Sequence, residues 1–259
     1  MKSKTSLHIN FTIPFIMCLK FALFSSNLLA ASCLDSFPVI YLIPGQGADF
    51  RLFDSLKIDK SFKIKHIKYS TPSKNSSMKE FAHQLSAQID TTYPFILIGV
   101  SLGGMLSTEM ADFMNPEKVI IISSAKKYTE LPRRYTFQQK IPIYKALPSR
   151  SIKAGAKIMQ PLVEPDRNQQ KATFKNMLDR KDPKFLKRTI HMIINWERTA
   201  HRSDIIHIHG NNDKTIPIKN IDYDYLVEGG SHMMALTRSQ EVSQIINKIL
   251  FEYLEKQAK

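Results

Sequence analysis

Three short runs in this chain show no alternation of apolar and polar residues: "PVIYLI" at 38–43, "PFILIGV" at 94–100 and "KVIIISSA" at 118–125. A strand with one wet face alternates apolar and polar residues. A strand covered on both faces reads as a continuous Val/Ile/Leu run. Stretches of helical period lie between the runs. "SMKEFAHQLSAQI" (77–89) places Phe81, Leu85 and Ile89 on one face, and "LGGMLSTEMADFM" (102–114) follows the second run directly. Buried strands separated by helices predict an α/β fold, with a mostly parallel central sheet and helices on both faces. "FKIKHIKY" (62–69) alternates as a half-buried strand. Strand signals return at "DIIHIHG" (204–210) and "DYDYLVEGG" (222–230), before a final amphipathic helix, "SQEVSQIINKILFEYLEK". With 43% apolar and 23% charged residues, the composition excludes a disordered chain.

The β pattern stops between Lys126 and about Ala200. Pro132, Pro142, Pro148, Pro161, Pro165 and Pro183 divide this stretch into short helical segments. A helical cap over 126–200 is therefore expected between two parts of one core, 33–125 and 201–259. The cap holds 18 Lys and Arg against 6 Asp and Glu, which accounts for most of the net charge of +14. Such a surface attracts an anionic substrate, an acidic carrier protein or an anionic membrane, or it is a solvated face with no specific partner. No nucleic-acid module accompanies it, so nucleic acid is not an expected partner.

The first 32 residues read as a signal peptide or N-terminal anchor. Lys2 and Lys4 precede an apolar stretch that lacks acidic residues and ends in "LLAAS". Cleavage after Ser32 gives an exported protein, periplasmic or extracellular. "AASC" ending at Cys33 offers a lipid anchor as a second route, and Lys20 interrupts the apolar run. An uncleaved anchor and a cytoplasmic protein are the remaining alternatives. The chain has two cysteines, Cys18 and Cys33, and loss of the signal leaves Cys33 alone. A mature chain then has no internal disulfide and no thiolate metal site.

"GVSLG" (99–103) fits G-x-S-x-G between a buried strand and a helix, the context that motif requires. A strand turning sharply into a helix brings the residues two before and two after the serine together. Gly99 and Gly103 can occupy those places because neither carries a side chain. The helix N-terminus then offers the N–H of Leu102 to a developing oxyanion. A serine hydroxyl needs a base, and the base needs an acid to orient it. "HGNNDKTIP" places Asp213 just past one strand, and "EGGSHMM" places His232 just past the next. "LIPGQGADF", after the first buried run, offers the N–H of Gln46 as a second oxyanion donor, with Gly45 and Gly47 admitting the backbone. His207 and His209 alternate along one strand, share a face and read as sheet residues. No histidine pair has helical spacing with a neighbouring carboxylate, so neither metal nor cofactor is expected.

On these motifs the chain resembles the α/β-hydrolase superfamily over residues 38–256, with a helical cap inserted after "KVIIISSA". The resemblance implies a triad of Ser101, Asp213 and His232, with Gln46 and Leu102 as oxyanion donors. Two departures stand out: Pro44-Gly45 replaces the usual His-Gly before the oxyanion residue, and the first two strands of the full fold are absent. Serine at the elbow argues against the dehalogenases and epoxide hydrolases of this fold, which use aspartate there. The expected activity is hydrolysis of a carboxylic ester or thioester through an acyl-enzyme. An acyl-carrier-protein methyl ester esterase or a thioesterase using the basic cap is an alternative. A non-enzymatic binding protein on this scaffold is another, although such proteins usually lose a triad residue and all three are present here.

Overall fold

Six parallel strands form the centre of the protein, and a computed structural model describes residues 37–258 of the chain. They are β1 (Val39–Ile43), β2 (Ile64–His66), β3 (Phe95–Val100), β4 (Lys118–Ile122), β5 (Ile205–Gly210) and β6 (Tyr225–Val227). Their order across the sheet is β2-β1-β3-β4-β5-β6. β1 and β3 are buried along their whole length, as continuous apolar runs between two helical layers must be. Every neighbouring pair runs parallel, including β1 with β3 (Ile40 opposite Ile96) and β3 with β4 (Ile98 opposite Ile120).

The two edge strands are shorter than their sequence patterns. The alternation over 62–69 predicts a longer strand, yet pairing covers Ile64 to His66 alone; Phe62 and Ile67 are buried outside the ladder. An edge strand has one neighbour to hold it, and short edges also limit unwanted pairing with other chains.

The chain goes from β1 outward to β2 and then returns to β3 on the other side of β1. In open α/β sheets, such a reversal leaves a crevice at the carboxyl ends of the two inner strands. Here that crevice lies between the loops after β1 and β3. Two helices carry the crossovers that frame it. The helix α1 (Met78–Ser86) starts at a capping box in which Ser77 and Glu80 satisfy each other's backbone N–H groups. The helix α2 (Leu102–Met114) packs against α1, is buried from Leu102 to Ala111, and ends at Asn115 in the left-handed conformation (φ 53°).

Between β4 and β5 the chain passes through a 3-10 turn at Tyr128–Glu130 and five helices: α3 (Arg133–Lys140), α4 (Ile143–Ala146), α5 (Ser149–Val163), α6 (Lys171–Arg180) and α7 (Pro183–Ile194). A second 3-10 turn, Pro165–Gln170, joins α5 to α6. The prolines mark the boundaries. Pro132, Pro142 and Pro148 precede helices, and Pro165 and Pro183 occupy first positions, where a missing N–H costs nothing. Pro161 alone of the six lies inside a helix.

The insertion shares the core of the sheet. One apolar cluster runs from Tyr41, Leu97 and Met105 to Leu178, Phe185, Ile193 and Trp196. Its exit is tied to α2: Trp196 Nε1 donates to Glu109 Oε1 at 2.8 Å, and Arg198 makes two hydrogen bonds of 2.7 Å to the Asp112 carboxylate. The short helix α8 (Met234–Thr237) and the long helix α9 (Ser239–Gln257) complete the chain.

Residues from Pro38 onward form one compact unit. The expected signal or anchor over 1–32, with Cys33, lies outside the described residues. Among the described residues no helix is long and apolar enough to cross a membrane.

Candidate active site

Ser101 joins β3 to α2 with φ 54° and ψ −118°, a strained conformation for a residue with a side chain. The neighbouring glycines show what compels it. A Cβ on Gly99 would lie 2.3 Å from the Gly103 carbonyl oxygen, and one on Gly103 would lie 2.0 Å from that of Ile43. The end of β3, the first turn of α2 and the end of β1 therefore meet with no space for a side chain. This is the steric reason expected for Gly99 and Gly103. Gly45 is also close: an added Cβ would stand 3.4 Å from Ser101 Cβ. Gly47 is less crowded. Its nearest neighbour would be Leu178 Cδ1 at 3.9 Å, so close backbone approach does not demand glycine there.

Asp213 and His232 converge on this serine from the loops after β5 and β6. His232 Nε2 lies 2.9 Å from Ser101 Oγ, and His232 Nδ1 lies 2.8 Å from Asp213 Oδ2. The other carboxylate oxygen accepts the N–H groups of Thr215 (2.8 Å) and Ile216 (2.7 Å), which fixes the rotamer of Asp213. A carboxylate on Nδ1 requires a proton there, so Nε2 is left to accept from the serine hydroxyl. Burial pushes the imidazole's pKa down. The Asp213 charge and hydrogen bond, aided by Glu164, outweigh that effect, and the net shift is upward.

His207 and His209 share one face of β5, as their alternation predicts, and both are fully buried. His209 also reaches the acid loop. His209 Nε2 donates to the Ile216 carbonyl at 2.9 Å, and its Nδ1 lies 3.2 Å from His207 Nε2. Burial lowers the pKa of both rings, keeping them neutral braces rather than charges.

The N–H groups of Gln46 and Leu102 have no partner among the described residues, the state required of donors waiting for an oxyanion. Two contacts hold the Gln46 loop. Tyr69 Oη donates to the Pro44 carbonyl at 2.5 Å. The Gln46 side-chain amide donates to Thr189 Oγ1 (2.7 Å) and to the Leu186 carbonyl (3.1 Å) on α7. They supply the bracing that an imidazole before Gly45 would otherwise give.

Ser101 and His232 open into a cavity of about 480 Å³ between the sheet and the insertion. Met105, Tyr135, Phe174, Met177, Ile190 and Ile193 give it a mostly apolar lining, and Gln46 stands at its oxyanion side. Two charged residues also line it, Arg134 from the basic "RR" pair and Glu164, which the sequence did not single out. Arg134 donates a hydrogen bond to the Thr215 carbonyl. Glu164 is 5% exposed; burial pushes its carboxyl up to about 7. "LVEPDR" carries no local pattern that separates Glu164 from the other charges of the insertion. Among the described residues no cluster of His, Cys, Asp or Glu is arranged to hold a metal ion.

The same architecture occurs in solved structures of low sequence identity. A thermophilic esterase from Thermogutta terrifontis superposes with a TM-score of 0.64 at 13% identity, covering 84% of this chain and 91% of that one. The enol-lactonase from Burkholderia xenovorans LB400 gives 0.63 at 14%, covering 85% and 92%. A lipase-esterase related protein from Clostridium acetobutylicum ATCC 824 gives 0.60 at 14%, covering 83% and 95%. At such identities the likeness establishes the fold. No curated protein matches the chain in sequence. A family profile matches residues 57–225, a segment that includes Ser101 and Asp213 but leaves Gln46 and His232 outside. With an α/β-hydrolase fold and a match over most of its length, the chain belongs to the Uncharacterised protein family (UPF0227).

Proposed function

We propose that the protein is a serine hydrolase that cleaves a carboxylic ester or thioester. The observation that carries this reading is the unbroken relay from Ser101 Oγ through His232 to Asp213, at 2.9 Å and 2.8 Å. Ser101 attacks the acyl carbonyl while His232 Nε2 takes its proton, and Asp213 stabilises the imidazolium that results. The carbonyl oxygen becomes an oxyanion facing the N–H groups of Gln46 and Leu102. His232 then returns the proton to the departing alcohol or thiol. Water repeats the sequence on the acyl-enzyme and frees the acid. The apolar cavity suits an acyl group of modest size.

The test is hydrolysis of a chromogenic short-chain ester, together with covalent labelling by a fluorophosphonate. The parent protein should turn over the ester and take the label, and Ser101→Ala should do neither. A folded parent protein that does neither would reject the reading in favour of a binding role.

A second feature supports an anionic substrate or carrier. A groove of about 490 Å³ between the insertion and the segment before α1 is lined by Lys74, Lys145, Lys184, Lys187, Arg188 and His191, with no carboxylate in its wall. An acidic carrier protein bearing the acyl group fits that charge.

A further inference from the structure

Glu164 closes α5, where its N–H donates to the Gln160 carbonyl at 3.0 Å. The turn that follows, Pro165–Gln170, packs against α8, two residues beyond His232. The backbone N–H of Met233, the residue next to the histidine, favours the ionised form of the Glu164 carboxyl. Glu164 and His232 line the same cavity.

The carboxyl is poorly satisfied for a structural residue. Its Oε2 is buried without a partner among the described residues, a costly state. No Lys or Arg among the described residues forms an ion pair with it: Arg134, across the same cavity, gives its guanidinium to the Thr215 carbonyl. Asp213 and Asp166 both oppose its ionisation. The favourable charge it meets is that of His232. Each of these two groups stabilises the ionised form of the other.

We infer that Glu164 is a positioning residue of this site, a carboxylate that the insertion holds beside His232 to stabilise the imidazolium formed when His232 takes the Ser101 proton. The inference rests on the proposed triad chemistry. It makes the insertion a participant in proton transfer as well as a wall of the cavity. Asp213 faces one side of the imidazole with all its acceptors engaged, and Glu164 brings a second negative charge from a different element. Burial pushes the Glu164 carboxyl up to about 7. Below about pH 7 the carboxyl is neutral and the imidazolium loses this support; above it the support is present.

Glu164→Gln keeps the shape and removes the charge. The His232 ring is followed by NMR through a pH titration in Ser101→Ala protein, with and without Glu164→Gln. Its pKa should fall by about one unit when the carboxylate is removed. In the Ser101 background, the acid limb of kcat/KM for a neutral ester should move to lower pH by a similar amount. Glu164→Asp, which keeps the charge, should leave the His232 titration close to that of the parent. An unchanged His232 titration in folded Glu164→Gln protein would overturn the inference and leave Glu164 a helix-ending residue. If no variant hydrolyses esters, the proposed function falls, while the NMR titration still decides whether Glu164 acts on His232.

Discussion

The strained backbone of Ser101 holds its Oγ clear of β3 and α2 and within 2.9 Å of His232. Replacing it with alanine removes the proposed nucleophile and leaves the turn intact. Ser101→Ala should lower kcat by roughly 10⁴ to 10⁶ with unchanged thermal unfolding. Retained activity within about tenfold of the parent would reject the mechanism. Asp213→Asn keeps the two backbone hydrogen bonds to one oxygen but presents an amide to His232, at a cost of up to about 10⁴ in kcat. The end of β4, another place for an acid in this fold, carries Ser123 and Ser124, so no second carboxylate replaces Asp213 there. Glu164 also makes stability depend on pH. Its folded pKa is raised above the unfolded value, so the folded state binds the proton more tightly. Stability contributed by the neutral form declines as pH rises from the ordinary carboxyl range to about 7, by on the order of 3 kcal/mol. Denaturant unfolding at a series of pH values should show this slope in the parent, and Glu164→Gln should flatten it.

At the scale of elements, the elbow and the loop after β1 respond differently to the smallest side chain. Gly99→Ala places a methyl group 2.3 Å from a carbonyl oxygen that belongs to the backbone of α2. Neither element can yield without breaking the packing of the other, so a loss of about 3 kcal/mol or more is expected. Gly47→Ala adds a methyl group at ordinary contact distance from Leu178 and should change stability by less than about 0.5 kcal/mol. Thermal unfolding of the two variants side by side checks both. The elbow was legible in "GVSLG" because its sterics are local, decided by residues two apart. Whether a glycine is needed at 47 depends on what packs above it, here Leu178 from α6, 131 residues further along the chain. The strand patterns follow the same division. β1, β3 and β4 lie within their apolar runs, whereas β2 and β6 shrink because an edge takes its length from its one neighbour.

Across the whole molecule, charge is distributed unevenly, with most of the positive excess on the insertion. The groove between Lys74 on the sheet side and Lys145, Lys184 and Lys187 on the insertion concentrates part of it. Exposed charges act over about 8 to 10 Å at physiological salt, so capture of an anionic substrate should weaken as salt rises. Lys145→Ser with Lys184→Ser should lower kcat/KM for an anionic ester several-fold at low salt. A matched neutral ester should respond little to either change. Equal responses from both esters would make the basic face a solvated surface. Arg134 does not suit this test, because it lines the cavity and bonds to Thr215 beside the acid loop.

The sequence by itself determined the parallel sheet, the elbow and the order Ser101, Asp213, His232. Each rests on local physics: the continuous apolar period of a buried strand, glycine sterics at a sharp turn, and a loop following its own strand. Only the tertiary structure decided how those parts are held and what surrounds them. The Gln46 side chain reaches Thr189 on α7, 143 residues away; His209 braces the Asp213 loop; and Glu164 comes to rest beside His232. These outcomes depend on how the insertion folds back over the carboxyl ends of the strands. The contacts that guide that return join residues far apart in the chain, and no period or spacing within a segment records them.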